Sequence, residues 1–249
     1  MFQEKVDEKH MTHVNPVQRS PWRTLALFVR DVLVIFAIAI VVSFVVKTFL
    51  VRSFFIPSAS MEQTLVIDDR VIVNELVPAM VPIQRGDIVV FRDPGGWLPA
   101  TVPAPVNPIT AATEWTLSLF GLASPDSNDH LIKRVIGLPG DKVACCDANG
   151  KMTINGVPIN EPYIMLPSGE TKSSGIDFSV TVPEGSLWVM GDNRYNSKDS
   201  RYNTNQPGAG FVPVSDVVGR AFVISWPMSR WSWLGNYPDT FAGVPAAGQ

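Results

Sequence analysis

From Val32 to Val46 the chain runs fifteen residues without a charge and with a single hydroxyl, Ser43. Extended through Leu25–Phe28 on one side and Thr48–Val51 on the other, the stretch reaches about the 20 residues that a helix needs to cross a bilayer. Arg30, Asp31 and Lys47 lie where long side chains reach back to the interfaces. A buried core helix is one competing reading, but β-branched residues occupy every face and no polar stripe exists. A cleaved secretory signal is another, with Ser58-Ala59-Ser60 as its small-x-small site. The long polar region before Trp22, and Lys47 and Arg52 ahead of that site, favour an uncleaved anchor over residues 21–52. Residues 1–20 form a polar tail. Arg19, Arg23 and Arg30 in front, against Lys47 and Arg52 behind, lean slightly towards a cytoplasmic N-terminus. No second apolar run of spanning length follows, so the remainder is expected outside the cytoplasm.

A net charge of -3 without basic clusters argues against nucleic acid as a partner. The only cysteines, Cys145 and Cys146, are adjacent, so no ordinary disulfide framework is available. A bond between neighbours, two free thiols and an intermolecular bond all stay open. No histidine cluster or second CxxC accompanies them, and neither a metal nor a cofactor is expected.

Beyond the anchor the signals are those of strands. "RVIVNELV", "GDIVVF", "HLIKRVIGL", "DKVAC", "KMTINGVPI", "DFSVTV", "SLWVMGD" and "VVGRAFVISW" are short, rich in Val and Ile, and separated by Gly, Pro and Asp. Asn155-Gly156 predicts a tight hairpin. No strand–helix rhythm is present, which points to a mainly β domain of antiparallel sheet over residues 53–226. Within it, residues 93–129 read as a proline-rich insertion, with Thr113–Leu122 as a short amphipathic helix. Residues 227–249 read as a C-terminal tail. The tryptophans Trp226, Trp231 and Trp233 suit either a membrane interface or packing over a sheet edge.

A serine needs a base to attack a carbonyl, and the usual base is histidine. The chain has three: His10 and His13 lie before the anchor, which leaves His130 for a Ser-His-Asp arrangement. The other solution is a lysine kept neutral by desolvation. A free lysine titrates near 10.4, so acting near neutrality takes a shift of about 2–3 units, or roughly 3–4 kcal/mol. Lys133, between Leu131, Ile132, Val135 and Ile136, has suitable neighbours. Strand alternation puts either Lys133 or Arg134 inward and does not say which.

Four segments in order, "IPSASMEQTL", "RGDIVVF", "KRVIGLPGD" and "MGDNRYNSKDSR", together with the anchor, resemble the boxes of bacterial type I signal peptidases. The resemblance covers roughly Phe36 to Trp226 and implies a membrane-anchored serine protease with a Ser-Lys dyad and the β-sheet catalytic domain of that family. It implies Ser60 as nucleophile and Lys133 as general base. It further implies Ser58 as oxyanion donor, Ser197 as the residue that orients the lysine, and Asp192, Asp199, Arg201 and Arg134 as polar support. In one place the chain departs from it: Gln63 stands where the family usually has proline.

About eight residues separate Val51 from Ser60, and an extended chain covers at most about 3.3–3.6 Å per residue. The nucleophile is therefore expected within roughly 30 Å of the bilayer. Suitable substrates are preproteins tethered by an apolar segment and cut after a small-x-small site, read along a strand edge. The expected partners are these preproteins and the lipid bilayer, with the enzyme a monomer. A non-enzymatic membrane-anchored β module is the alternative, and it leaves the four segments unexplained. A penicillin-recognising enzyme would need an S-x-x-K tetrad, which is absent. A self-cleaving repressor would bring a DNA-binding module.

Overall fold

The structure, a computed structural model, describes residues 21–99 and 129–246. The chain divides into two compact units between Val45 and Val46. The expected helix at Thr113–Leu122 and the tail at 1–20 lie outside the described residues.

The first unit holds most of α1 (Pro21–Phe49). Its stretch Leu25–Phe44 is strongly apolar on average, broken by the paired Arg30 and Asp31 and by Ser43, and none of these twenty residues is buried against the other described residues. A helix of that length spans about 30 Å with every interior backbone group bonded within itself, which is what a hydrocarbon environment demands.

The second unit is built on two antiparallel sheets. The larger orders its strands β1 (Val51–Phe55), β2 (Arg70–Asn74), β11 (Val217–Trp226), β3 (Ile88–Arg92), β4 (His130–Gly137), β9 (Ser186–Met190) and β10 (Val212–Pro213). Strand β12 (Ser232–Trp233) pairs with β11. The smaller runs β7 (Val157–Pro158), β6 (Thr153–Ile154), β5 (Lys142–Cys145) and β8 (Phe178–Thr181). The Asn155-Gly156 hairpin forms as its sequence predicts. Ile154 faces Val157, and both turn residues take positive φ, 52° and 81°.

Strand β3 explains why the centre of the large sheet is dry. Ile88 and Val90 join one apolar cluster with Phe54, Met61 and Leu65, while Val89 and Phe91 join another with Val135 and Val189. A strand covered on both faces reads as an unbroken apolar run, and "IVVF" is one. Strand β4 lies beside it, with Val89 opposite Lys133 and Ile88 opposite Arg134. The alternation rule, which sends one of that pair to solvent, therefore fails here: Lys133 is 4% exposed and Arg134 0%.

The C-terminal segment is packed through Val244, where the sequence suggests a loose tail. After β12 it forms α2 (Pro238–Phe241), and Phe241 and Val244 enter the cluster under the small sheet. Arg85 and Asn155 both donate to the carbonyl of Pro245. The joined sulfurs of Cys145 and Cys146 end β5.

Gly86 is the close contact under this segment. A Cβ there would lie 1.8 Å from the carbonyl oxygen of Asn236, at φ +86°. Gly86→Ala should lower stability by about 3 kcal/mol through overlap and backbone strain. Gly156→Ala, at φ +81° with nothing within 4 Å, should cost only about 1 kcal/mol. Denaturant unfolding of the detergent-solubilised protein measures both, and equal losses would show that the Asn236 contact carries no weight.

Candidate active site

The chain leaves β1, passes Ser58 in extended conformation, and makes one 3-10 turn over Ala59–Met61. A second turn follows at once. Glu62 has φ -58° and ψ 145°, Gln63 has φ 93°, and the Thr64 amide donates to the Met61 carbonyl at 3.1 Å. These angles are those of a type II turn with Gln63 at the position that favours glycine. Met61 and Leu65 are fully buried on either side and pin the loop to the core.

Ser60 is thereby held facing β4. Its Oγ lies 2.7 Å from Lys133 Nζ and 3.3 Å from Ser58 Oγ. Lys133 also donates to its neighbour's carbonyl, Ile132 O, at 2.8 Å. Burial pushes the Lys133 amine down to about 8, and the charges of Asp199 and Asp192 hold it from falling further. An apolar strand with two carboxylates nearby thus leaves a base that is partly neutral at physiological pH. His130 instead faces Asp129, with Nδ1 2.7 Å from its carboxylate, and its ring lies 5.3 Å from that of Phe54.

Arg134 points to the other face of β4 and is met on all sides. It donates twice to Asp192, at 2.8 and 2.6 Å, and once to the carbonyl of Gly86. Its guanidinium lies 4.1 Å over the ring of Tyr163. Thr64 Oγ1 donates to Asp192 at 2.5 Å, which ties the loop carrying Ser60 to this pair. Asp199 binds Arg201 at 2.7 and 2.8 Å and accepts the amide of Gly191. The support residues expected from sequence are therefore brought together. Removing one partner of such a buried pair typically costs 3–5 kcal/mol, since the other charge stays uncompensated.

Ser197 departs from expectation in detail. It is 6% exposed, but its Oγ has no partner among the described residues and the hydrogen bond expected to Lys133 is not formed.

Several residues escape sequence reasoning. Gly191 has no room for a side chain, because a Cβ would lie 2.3 Å from Ser197 Oγ and 2.4 Å from Ser60 O. Asn193 N donates to Ser60 O, joining the two segments directly. A third buried pair, Arg194–Glu161, accepts the hydroxyl of Tyr163 on Glu161. Glu161 and Tyr163 stand in "NEPYIM", which carries no signal of its own. Only the arginines that they meet, Arg194 and Arg134, lie in recognisable segments.

A family model described as signal peptidase, peptidase S26, matches residues 29–226. A probable signal peptidase I of Mycobacterium leprae strain TN is 40% identical over 223 residues, 80% of this chain and 76% of its own. The signal peptidase I of Mycobacterium tuberculosis strain H37Rv is 40% identical over 235 residues, 87% of this chain and 76% of its own. A crystal structure of a signal peptidase I from Enterococcus faecalis V583 aligns at 28% identity over 55% of this chain and 95% of that one, with TM-score 0.36.

The turn beside Ser60 can be tested directly. Gln63→Gly should raise stability by about 1 kcal/mol, since glycine takes positive φ without strain. Gln63→Pro should be strongly destabilising, because proline locks φ near -65° and the turn needs 93°. Unfolding midpoints of the two variants decide it. A proline variant as stable as its parent would show that the turn readily adopts another form.

Proposed function

This chain belongs to the signal peptidase family S26, and from that membership we infer which of its residues cut the peptide bond. Its function is to remove N-terminal signal peptides from exported preproteins, as a serine peptidase. Ser60 is the nucleophile and Lys133 the general base, and the observation that carries the assignment is the 2.7 Å approach of a buried amine to a buried hydroxyl.

In the neutral form Lys133 takes the proton of Ser60 Oγ as that oxygen attacks the carbonyl after a small-x-small sequence. The oxyanion is met by the amide of Ser60 and the hydroxyl of Ser58, which lies 3.3 Å from the attacking oxygen. The ammonium formed on Lys133 then protonates the leaving amine. The acyl-enzyme is hydrolysed when Lys133 accepts a proton from water. The buried Ser197 hydroxyl, with its open hydrogen-bonding capacity, serves to steady the lysine during these transfers. Asp192, Asp199, Arg201 and Arg134 hold the segments in register. The enzyme is read as a monomer, with dyad and supports complete within one chain.

The protein is a membrane protein with one apolar helix of spanning length, Leu25–Phe44, among its described residues. Its N-terminus is cytoplasmic and its catalytic domain extracytoplasmic, a reading supported by the basic residues ahead of the helix and by the location of exported substrates. Trp231 packs edge-on against Trp233, which stacks on Phe222 at the sheet edge, yet Trp226, Met228 and Trp231 remain 56%, 70% and 51% exposed. They form a surface for the lipid interface, where tryptophan is enriched. A non-enzymatic β module has no use for a desolvated lysine.

Ser60→Ala and Lys133→Ala should each abolish preprotein cleavage with the fold intact. Ser58→Ala should cost about 10²–10³ in kcat with KM little changed. For the parent, kcat/KM should rise with pH through about 8, as the amine loses its proton. Near-normal cutting by Lys133→Ala, or a limb that moves on His130→Ala, would falsify the dyad. For the lipid surface, tryptophan quenching by bromine-chain lipids in vesicles should fall in the Trp226→Ser, Trp231→Ser double variant. Undiminished quenching would place those rings in water.

A further inference from the structure

The loop that carries Ser60 is closed at its stem by backbone bonds. The amide of Ile56 donates to the carbonyl of Asp69 at 2.9 Å, and the amide of Asp68 returns to the carbonyl of Ile56 at 3.0 Å. Within the loop, Asp192 accepts the hydroxyl of Thr64, and the amide of Asn193 donates to the carbonyl of Ser60. A second grip comes from the C-terminal segment. Arg230 ends a short 3-10 turn, Met228–Arg230, and lies beyond the residues 29–226 that the family model matches. Its Nε and Nη2 donate to the two carboxylate oxygens of Asp69 at 2.8 and 3.1 Å, and Nη2 also donates to the carbonyl of Thr64 at 3.3 Å.

Thr64 is thereby engaged at three points. Its amide donates to the carbonyl of Met61 at 3.1 Å, its hydroxyl to Asp192 at 2.5 Å, and its carbonyl accepts from Arg230. Met61 follows Ser60 directly, so the turn over residues 61–64 passes to the nucleophile whatever fixes or frees Thr64. An ion pair between two wet side chains does little. Here the arginine is 37% exposed, but the carboxylate it meets is fully buried and also accepts the amide of Val66 from within the same loop. A buried carboxylate deprived of its cation is strongly unfavourable where it stands. The segment free to answer that penalty is the loop itself, and Ser60 moves with it.

We propose that Arg230 is a positioning residue for the nucleophile, setting loop 56–69 so that Ser60 Oγ stands 2.7 Å from Lys133 Nζ. The proposal rests on the peptidase reading above and adds to it a residue of the C-terminal segment that acts through the loop and not on the reacting atoms. Proton transfer from hydroxyl to amine depends on that approach in every turnover, and a small misplacement of a reacting group is costly in rate. The loss should therefore fall on kcat.

The experiment measures kcat and KM of the full chain in detergent on a preprotein with an Ala-x-Ala site. The parent is compared with Arg230→Gln, Arg230→Lys and Arg85→Gln, each well below its unfolding midpoint. Arg85 is the control, since it too donates to both oxygens of a fully buried carboxylate, Asp141, which also accepts a backbone amide, that of Leu138, outside loop 56–69. Arg230→Gln should lower kcat on the order of tenfold and leave KM within about twofold of the parent. Arg230→Lys, which keeps the cation, should recover most of the loss. Arg85→Gln should unfold more easily yet keep the parent's kcat. A parental kcat in Arg230→Gln, a loss confined to KM, a loss that lysine does not relieve, or an equal fall in Arg85→Gln overturns the positioning role alone. A parent that cuts nothing overturns the peptidase reading and this role with it.

Discussion

An amine held out of water beside a hydroxyl is the condition on which the rest of this structure depends. In water the Lys133 ammonium would keep its proton across the physiological range. Strand β4 makes the difference by lying in the middle of a sheet covered on both faces, where Lys133 is 4% exposed. The shift from 10.5 to about 8 corresponds to about 3 kcal/mol against the charged form. That cost comes from burial in the sheet, so the same packing that stabilises the fold also lowers the amine's hold on its proton. The carboxylates of Asp199 and Asp192 temper the effect and keep the amine basic enough to accept a proton.

Placing a lysine and an arginine side by side in such a strand creates a second requirement. Arg134 cannot become neutral, so it must be matched. Asp192 does this with two hydrogen bonds, and Thr64, Gly86 and two tyrosine rings complete the enclosure. The Arg201–Asp199 and Arg194–Glu161 pairs repeat the solution nearby. Buried pairs of this kind seldom add much net stability compared with apolar packing. What they add here is register: Arg134–Asp192 and Arg194–Glu161 each fix one backbone segment against another, and the local Arg201–Asp199 pair reaches out to Ser174 and to the amide of Gly191. Asp192 meets both the nucleophile loop and β4, and Asp199 receives the amide of Gly191, whose missing side chain lets the two segments touch.

The C-terminal segment closes the other side of the same cluster. Tyr237 covers Arg134, Gly235 offers it a further carbonyl, and Phe241 and Val244 fill the core of the small sheet. These contacts depend on Gly86 admitting Asn236 at a distance that no side chain would allow. The enclosure of Arg134 is therefore shared by residues far apart in sequence, as the separation of 101 positions between Arg134 and Gly235 indicates.

Much of this was legible in the residues alone. The uncharged run Val32–Val46 dictates a helix of spanning length, because only internal hydrogen bonding satisfies a backbone in lipid. The short Val- and Ile-rich segments, and the Asn155-Gly156 turn, specify antiparallel strands by local conformational preference. The order of four segments carries the family resemblance that implies Ser60 and Lys133, the pair proposed above to cut the peptide bond. Tertiary structure alone decided the rest, since burial and distance belong to no single segment. It sends both Lys133 and Arg134 inward, brings Tyr163 and Glu161 to the arginines, packs a segment that reads as a tail, and leaves Ser197 without its expected bond. Local pattern reports which face of a strand a residue occupies. Whether water reaches that face depends on what distant parts of the chain have been folded over it.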